Sequence, residues 1–145
     1  MNNLFECKVS YERQTEGGLE RVSESYLVDA LSFTEAEARI IEEIKPFVGM
    51  GELEVTKVLK RKFADIFLSE QDRDDRFYRL KVVFVMYDEK ANKDKKVSTA
   101  VLIQSDTLLN AINRLNEEYK DVEGGYEIHT ATELNILDVF KYELG

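Results

Sequence analysis

One cysteine, one proline, one histidine and no tryptophan stand in 145 residues, and each scarcity removes a class of explanation. A lone Cys7 cannot close an internal disulfide, and its place on an apolar strand face marks it as a buried thiol rather than a nucleophile. Metal centres of the zinc type need clustered Cys and His, which this chain lacks, so no metal and no cofactor is expected. No stretch approaches the roughly 18 apolar residues of a membrane-spanning helix. The opening MNNLFECKVSYERQ has no basic region followed by an apolar run of signal-peptide length. A soluble cytoplasmic protein with no membrane role is therefore the expectation. No Walker-type loop and no G-x-G-x-x-G after a strand occurs. Gly49-Met50-Gly51 leaves a helix instead of entering one, which is the wrong geometry for a phosphate cradle.

What the chain does have is charge, unevenly placed. The net value is −9, yet residues 1–56 carry five basic and twelve acidic side chains, residues 57–96 twelve and eight, and residues 97–145 three and nine. A basic middle lies between acidic ends. An acidic chain is repelled by phosphate backbones, so nucleic acid is disfavoured as a partner. The basic segment includes Lys57, Lys60, Arg61, Lys62, Arg73 and Arg76, which are the candidate partner-binding residues. They favour self-association or an acidic protein partner.

The pattern of apolar residues is written twice. Leu53 to Glu70, LEVTKVLKRKFADIFLSE, corresponds to Tyr126 to Glu143, YEIHTATELNILDVFKYE, at an offset of 73 that places Asp65 on Asp138 and Phe67 on Phe140. The same offset lays Phe5, Cys7 and Val9 on Tyr78, Leu80 and Val82, and an offset of 71 lays Thr34, Ile41 and Val48 on Ser105, Ile112 and Tyr119. Repetition of this kind is the signature of an internal duplication.

Local signals supply the elements. Phe5, Cys7, Val9 and Tyr11 alternate with polar residues as in a half-buried strand, and the turn at Arg13 to Gly18 returns the chain to a second strand, clearest from Glu24 to Leu31. Thr34 with Glu37 has the spacing of a capping box. The helix that follows has an apolar stripe of Ile40, Ile41, Ile44, Phe47 and Val48, and Pro46 is expected to end or kink it. From Leu53 to Leu68 the alternation breaks. Val55 and Val58 can both face a core only if one extra residue bulges between them, as with Ile128 and Ala131. An interruption is expected near Lys60 to Lys62, and near Glu133 to Asn135. Phe77 to Tyr87 is apolar on both faces and reads as a central strand. A loop at Asp88 to Lys96 leads to a strand from Val97 to Gln104. Ser105 caps a second helix with Leu108, Leu109, Ile112, Leu115 and Tyr119 on its stripe, and Gly124-Gly125 close it.

The expected fold is α+β: an internal duplication of a β-β-α-β-β unit, antiparallel sheets with one amphipathic helix per repeat. Residues 1–70 form the first repeat, 71–76 a charged connector and 77–145 the second repeat, in one compact body.

Chemistry is harder to find. His129 has no orienting partner at helpful spacing and reads as an exposed strand residue. Asp72, Asp74 and Asp75 interleave with Arg73 and Arg76 and lack the Ca²⁺-loop pattern, so a solvated linker accounts for them. Asp65 and Asp138 each precede an apolar pair and could act together as acid and base, although a strand-end Asp routinely bonds local backbone.

The order of apolar patterns, the repeated D-[IV]-F stretch and the chain length together resemble an uncharacterised family of small proteins from anaerobic bacteria and their mobile elements or phages. The resemblance implies a genomic context and no activity. A non-enzymatic binding or assembly protein, with no catalytic residues, is the primary expectation. The alternatives are a regulatory domain binding a small molecule between the repeats, and a carboxylate-based metal-dependent hydrolase using Asp65 and Asp138.

Overall fold

Alternation commits Phe5 to Glu12 to a strand with one dry face, and helical spacing commits the segments after residues 32 and 107 to amphipathic helices. The computed structural model describes residues 2–48 and 51–141. They form β1 (Asn2–Thr15), β2 (Gly18–Asp29), α1 (Phe33–Val48), β3 (Glu54–Phe63), β4 (Asp65–Phe67), β5 (Arg76–Asp88), β6 (Lys93–Ser105), α2 (Leu108–Glu118), β7 (Tyr126–Leu134) and β8 (Val139–Phe140). The expectations placed on Gly49, Met50 and Tyr142 to Gly145 lie outside the described residues.

The fold is α+β with two helices and two four-stranded sheets, ordered β3-β1-β2-β8 and β4-β6-β5-β7. The chain divides into two compact units, residues 2–62 with 136–141, and residues 63–135. In the first unit, α1 lays Ala36, Ile40 and Ile44 on Phe5, Cys7, Val9, Tyr26 and Val28 of the hairpin. In the second, α2 lays Ala111, Leu115 and the following Tyr119 on Tyr78, Leu80, Val82, Val101 and Ile103. β5 is interior to its sheet, as its two apolar faces require.

The sheets are mixed, which corrects the antiparallel expectation. β1 with β2, and β5 with both β6 and β7, are antiparallel, but β8 runs parallel to β2 and β4 parallel to β6. Only Ala64 separates β3 from β4. One residue cannot make a hairpin turn, which needs two, so β4 cannot fold back beside β3. It continues instead to the open edge of β6, where the Ala64 N–H donates to the Ala100 carbonyl at 2.8 Å. The unit boundary consequently falls between residues 62 and 63, and 71–76 lies inside the second unit. The interruption also comes later than Lys60 to Lys62, at Ala64.

The predicted bulge is present in β7. Lys81 pairs with Thr130 and Val82 with Ile128, leaving His129 as the extra residue. Ile128 and Ala131 thereby both pack on the core of their unit. In the other sheet, Val55 and Val58 both pack on theirs.

Helix starts differ from the expected ones by half a turn or more. Ser32, not Thr34, caps α1: its hydroxyl accepts from the Glu35 N–H at 3.1 Å, and Glu35 reaches back to accept from the Leu31 N–H at 3.2 Å. Thr107, not Ser105, caps α2, accepting from the Asn110 N–H at 3.1 Å. Caps and buried helix residues thus correspond at an offset of 75, not 71. Ile41 and Phe47 turn outward, as do Leu108 and Leu109. Pro46 neither ends nor precedes the end of α1 by a full turn, since the helix runs on to Val48. Its fixed φ suits a helix, and one lost bond near the end is tolerable. The β5–β6 hairpin is tighter than the polar run suggested. β6 begins at Lys93, and the Asp88 carboxylate accepts from the Lys90 and Ala91 N–H groups to make the turn.

Leu115→Ala should cost about 2–5 kcal/mol of stability, because it empties a fully buried site. Leu109→Ala, 66% exposed one face away, should stay within about 0.5 kcal/mol. Urea unfolding midpoints of the two variants check the rotation of α2.

Candidate functional site

Val55 and Val58 of β3 pack on the core and Phe63 at its end is buried, while the polar side chains of the strand are left to water. Lys57, Lys60, Arg61 and Lys62 are all exposed along ten residues, at the edge of their sheet. Arg61 pairs with Glu6 at 3.4 Å and Arg21 with Glu54 at 3.0 Å. Pairs this exposed contribute little and exchange readily. The structure therefore brings four of the six basic candidates onto one strand.

Arg73 and Arg76 belong to the second unit and have different surroundings. Arg76 opens β5 and pairs with Glu133 of β7 at 3.7 Å. Arg73 borders a cleft of about 450 Å³ at the start of α2, whose floor is a hydrogen-bonded latch. Gln104, near the end of β6, accepts from the Ser69 N–H at 3.0 Å and donates to the Asp74 carbonyl at 2.7 Å. The Ser69 hydroxyl donates to Asp74 at 2.5 Å and accepts from the Gln71 N–H. The carboxyl of Asp106 sits below its ordinary range, first because the Asn110 side chain donates to it at 2.8 Å, with Arg73 adding a favourable charge. Arg114 pairs with Glu118 at 3.0 Å and lies over the Phe67 ring at 5.6 Å. These contacts tie the segment after β4 to its sheet. Sequence reasoning missed Gln104, whose only signal was a polar side chain near the end of an apolar strand.

The carboxylates weighed for catalysis are each engaged locally. Asp65 accepts a short hydrogen bond from the Tyr119 hydroxyl, and burial together with that bond holds Tyr119 well above the usual phenol range. Asp138 accepts from the N–H of its neighbour Val139 at 2.8 Å. His129 lies 3.0 Å from Glu127, a contact that lowers the Glu127 carboxyl. Among the described residues, no group of three or more His, Cys, Asp or Glu could hold a metal ion. No helix among them is long and apolar enough to cross a membrane. Cys7 is fully buried, with Sγ near the carbonyls of Phe5 and Ala36.

A family match covers residues 3–142. The chain belongs to the DUF4494 family, a domain of unknown function. No curated protein and no solved structure matches it significantly. Membership in DUF4494 supports the resemblance to an uncharacterised family, and the family description carries no activity to compare with the strand or the cleft.

Two outcomes test these environments. Burial, with Glu37 and Glu6 nearby, pushes the Cys7 thiol from 9.0 up to about 11. It should resist a thiol reagent at about pH 8 until the chain is unfolded. The folded state holds this proton more tightly, so the associated stability is complete below about 9 and is lost as pH rises through about 11. Gln104→Ala removes both latch bonds and should cost about 1–3 kcal/mol. Amide exchange at Ser69 should quicken in that variant.

Proposed function

We propose that the protein is a non-enzymatic binding or assembly protein that works through the basic edge strand β3. The observation that supports this reading is the concentration of Lys57, Lys60, Arg61 and Lys62, all exposed, on one strand of a chain whose net charge is −9. Like charges held along a rigid strand attract an acidic protein surface, a second copy of the chain included, and raise the rate of encounter. Nucleic acid is disfavoured by the overall charge. Arg73 and Arg76, in the second unit, are further positive charges in the same reading. Service to a mobile element or phage belongs to the same reading and rests on the family resemblance.

The reading includes an internal duplication of a β-β-α-β-β unit. What supports it is correspondence in detail: the two sheets share one strand order, β3-β1-β2-β8 against β7-β5-β6-β4. Val139 and Phe140 pair with Leu27 and Val28 as Ile66 and Phe67 pair with Leu102 and Ile103.

Sedimentation of the parent at about 50 mM and about 500 mM salt should show larger species at the lower salt, where charges are less screened. The triple reversal Lys60→Glu, Arg61→Glu, Lys62→Glu should erase that difference. Matching profiles for parent and variant would overturn the reading.

A further inference from the structure

Two strands at corresponding places carry opposite charge. β3 ends one sheet and β7 ends the other, and among the described residues neither has a neighbour on its outer side. Each outer edge therefore presents unpaired backbone N–H and C=O groups, which is a template for another strand. β3 carries Lys57, Lys60, Arg61 and Lys62 against one acid, Glu54, whereas β7 carries Glu127 and Glu133 and no Lys or Arg. We infer that β3 of one copy adds to β7 of a second copy, antiparallel, joining copies head to tail. The inference rests on the assembly reading above and names its partner.

Charge decides which edges can meet. Two β3 edges would oppose lysine with lysine, and two β7 edges glutamate with glutamate; both pairings are repulsive. Only the mixed pairing sets a strand of net positive charge against one of net negative charge. The spacing agrees. Lys57 and Lys62 are five positions apart on β3. Glu127 and Glu133 are six apart in sequence, but His129 is extruded from the β7 ladder, so they too stand five strand positions apart. In the antiparallel register with Lys57 opposite Glu133, Lys62 falls opposite Glu127. Both acids already have contacts, Glu133 with Arg76 at 3.7 Å and with the Tyr78 hydroxyl, which donates to it at 3.4 Å, and Glu127 with His129 at 3.0 Å. The side chains of Arg76, Glu133, His129 and Glu127 are all more than 40% exposed, so the contacts among them exchange at small cost. A head-to-tail contact of this type is heterologous and propagates into a ring or an open chain of copies.

The test uses three full-length variants in sedimentation at about 50 mM salt. The first is Lys57→Glu with Lys62→Glu, the second is Glu127→Lys with Glu133→Lys, and the third combines all four. Each two-site reversal should weaken self-association on the order of tenfold or more, because two attractive cross-strand pairs become repulsive. The four-site variant should regain it, since its signs are exchanged and complementary again. An equimolar mixture of the two-site variants should also associate. Recovery in these samples shows that the two-site chains fold. If the β7 reversal associates like the parent while the β3 reversal does not, this inference falls and the assembly reading stands. If the four-site variant stays dissociated, complementarity between these strands is refuted. If no variant differs from the parent, both ideas fall.

Discussion

Each sheet is completed by a short strand that comes from the other half of the sequence, and the rest of the architecture depends on those two parallel pairings. β8 contributes only Val139 and Phe140, and β4 only Asp65 to Phe67. Their backbone bonds are few, so side chains must hold them. Phe140 stacks on Tyr26 at 5.6 Å, and Phe67 meets Tyr119 edge-on at 6.0 Å. Even half-buried, each ring removes apolar area from water and adds that stabilisation to the few ladder bonds. The helices reinforce the same point. Arg39 of α1 donates to the Lys141 carbonyl just past β8, and Arg114, the residue 75 positions on, covers the Phe67 ring of β4. An exchanged strand makes each unit depend on residues from both halves of the sequence, so neither half should fold alone as written.

Short closing strands leave long stretches of edge uncovered, and the molecule answers with charge. β6 begins with Lys93, Asp94, Lys95 and Lys96, and β3 and β7 carry the opposed sets described above. Charged side chains on exposed edges suppress indiscriminate pairing. Segregating the signs by strand does more than protect: it leaves one pairing out of three electrostatically allowed. The cleft beside α2 plays a different part, because its polar groups are spent on fixing Ser69 to Asp74. Arg73 contributes charge there and Arg76 pairs with Glu133, and neither joins the strand that holds the other four candidates.

Periodicity by itself determined much of this protein. Period-two alternation located β1 and β5, both apolar faces of β5 marked it as interior, and the misfit of Ile128 with Ala131 in strict alternation required the bulge that β7 contains. Those features depend on which side chains face a core, a property written residue by residue. The helix registers were misplaced because a shift of four residues returns nearly the same helical face, so an offset of 71 imitates one of 75. Distinguishing Ser32 from Thr34 needed the cap geometry. The destination of β4 and β8 was decided only by tertiary structure. Two or three apolar residues fit any open edge equally well, and the choice of β6 and β2 rests on rings such as Tyr26 and Tyr119 that are distant in sequence. The site divides the same way: composition located the basic segment, but only pairing of strands showed that four of its charges share one free edge and that an extruded histidine sets the spacing of the acids on another.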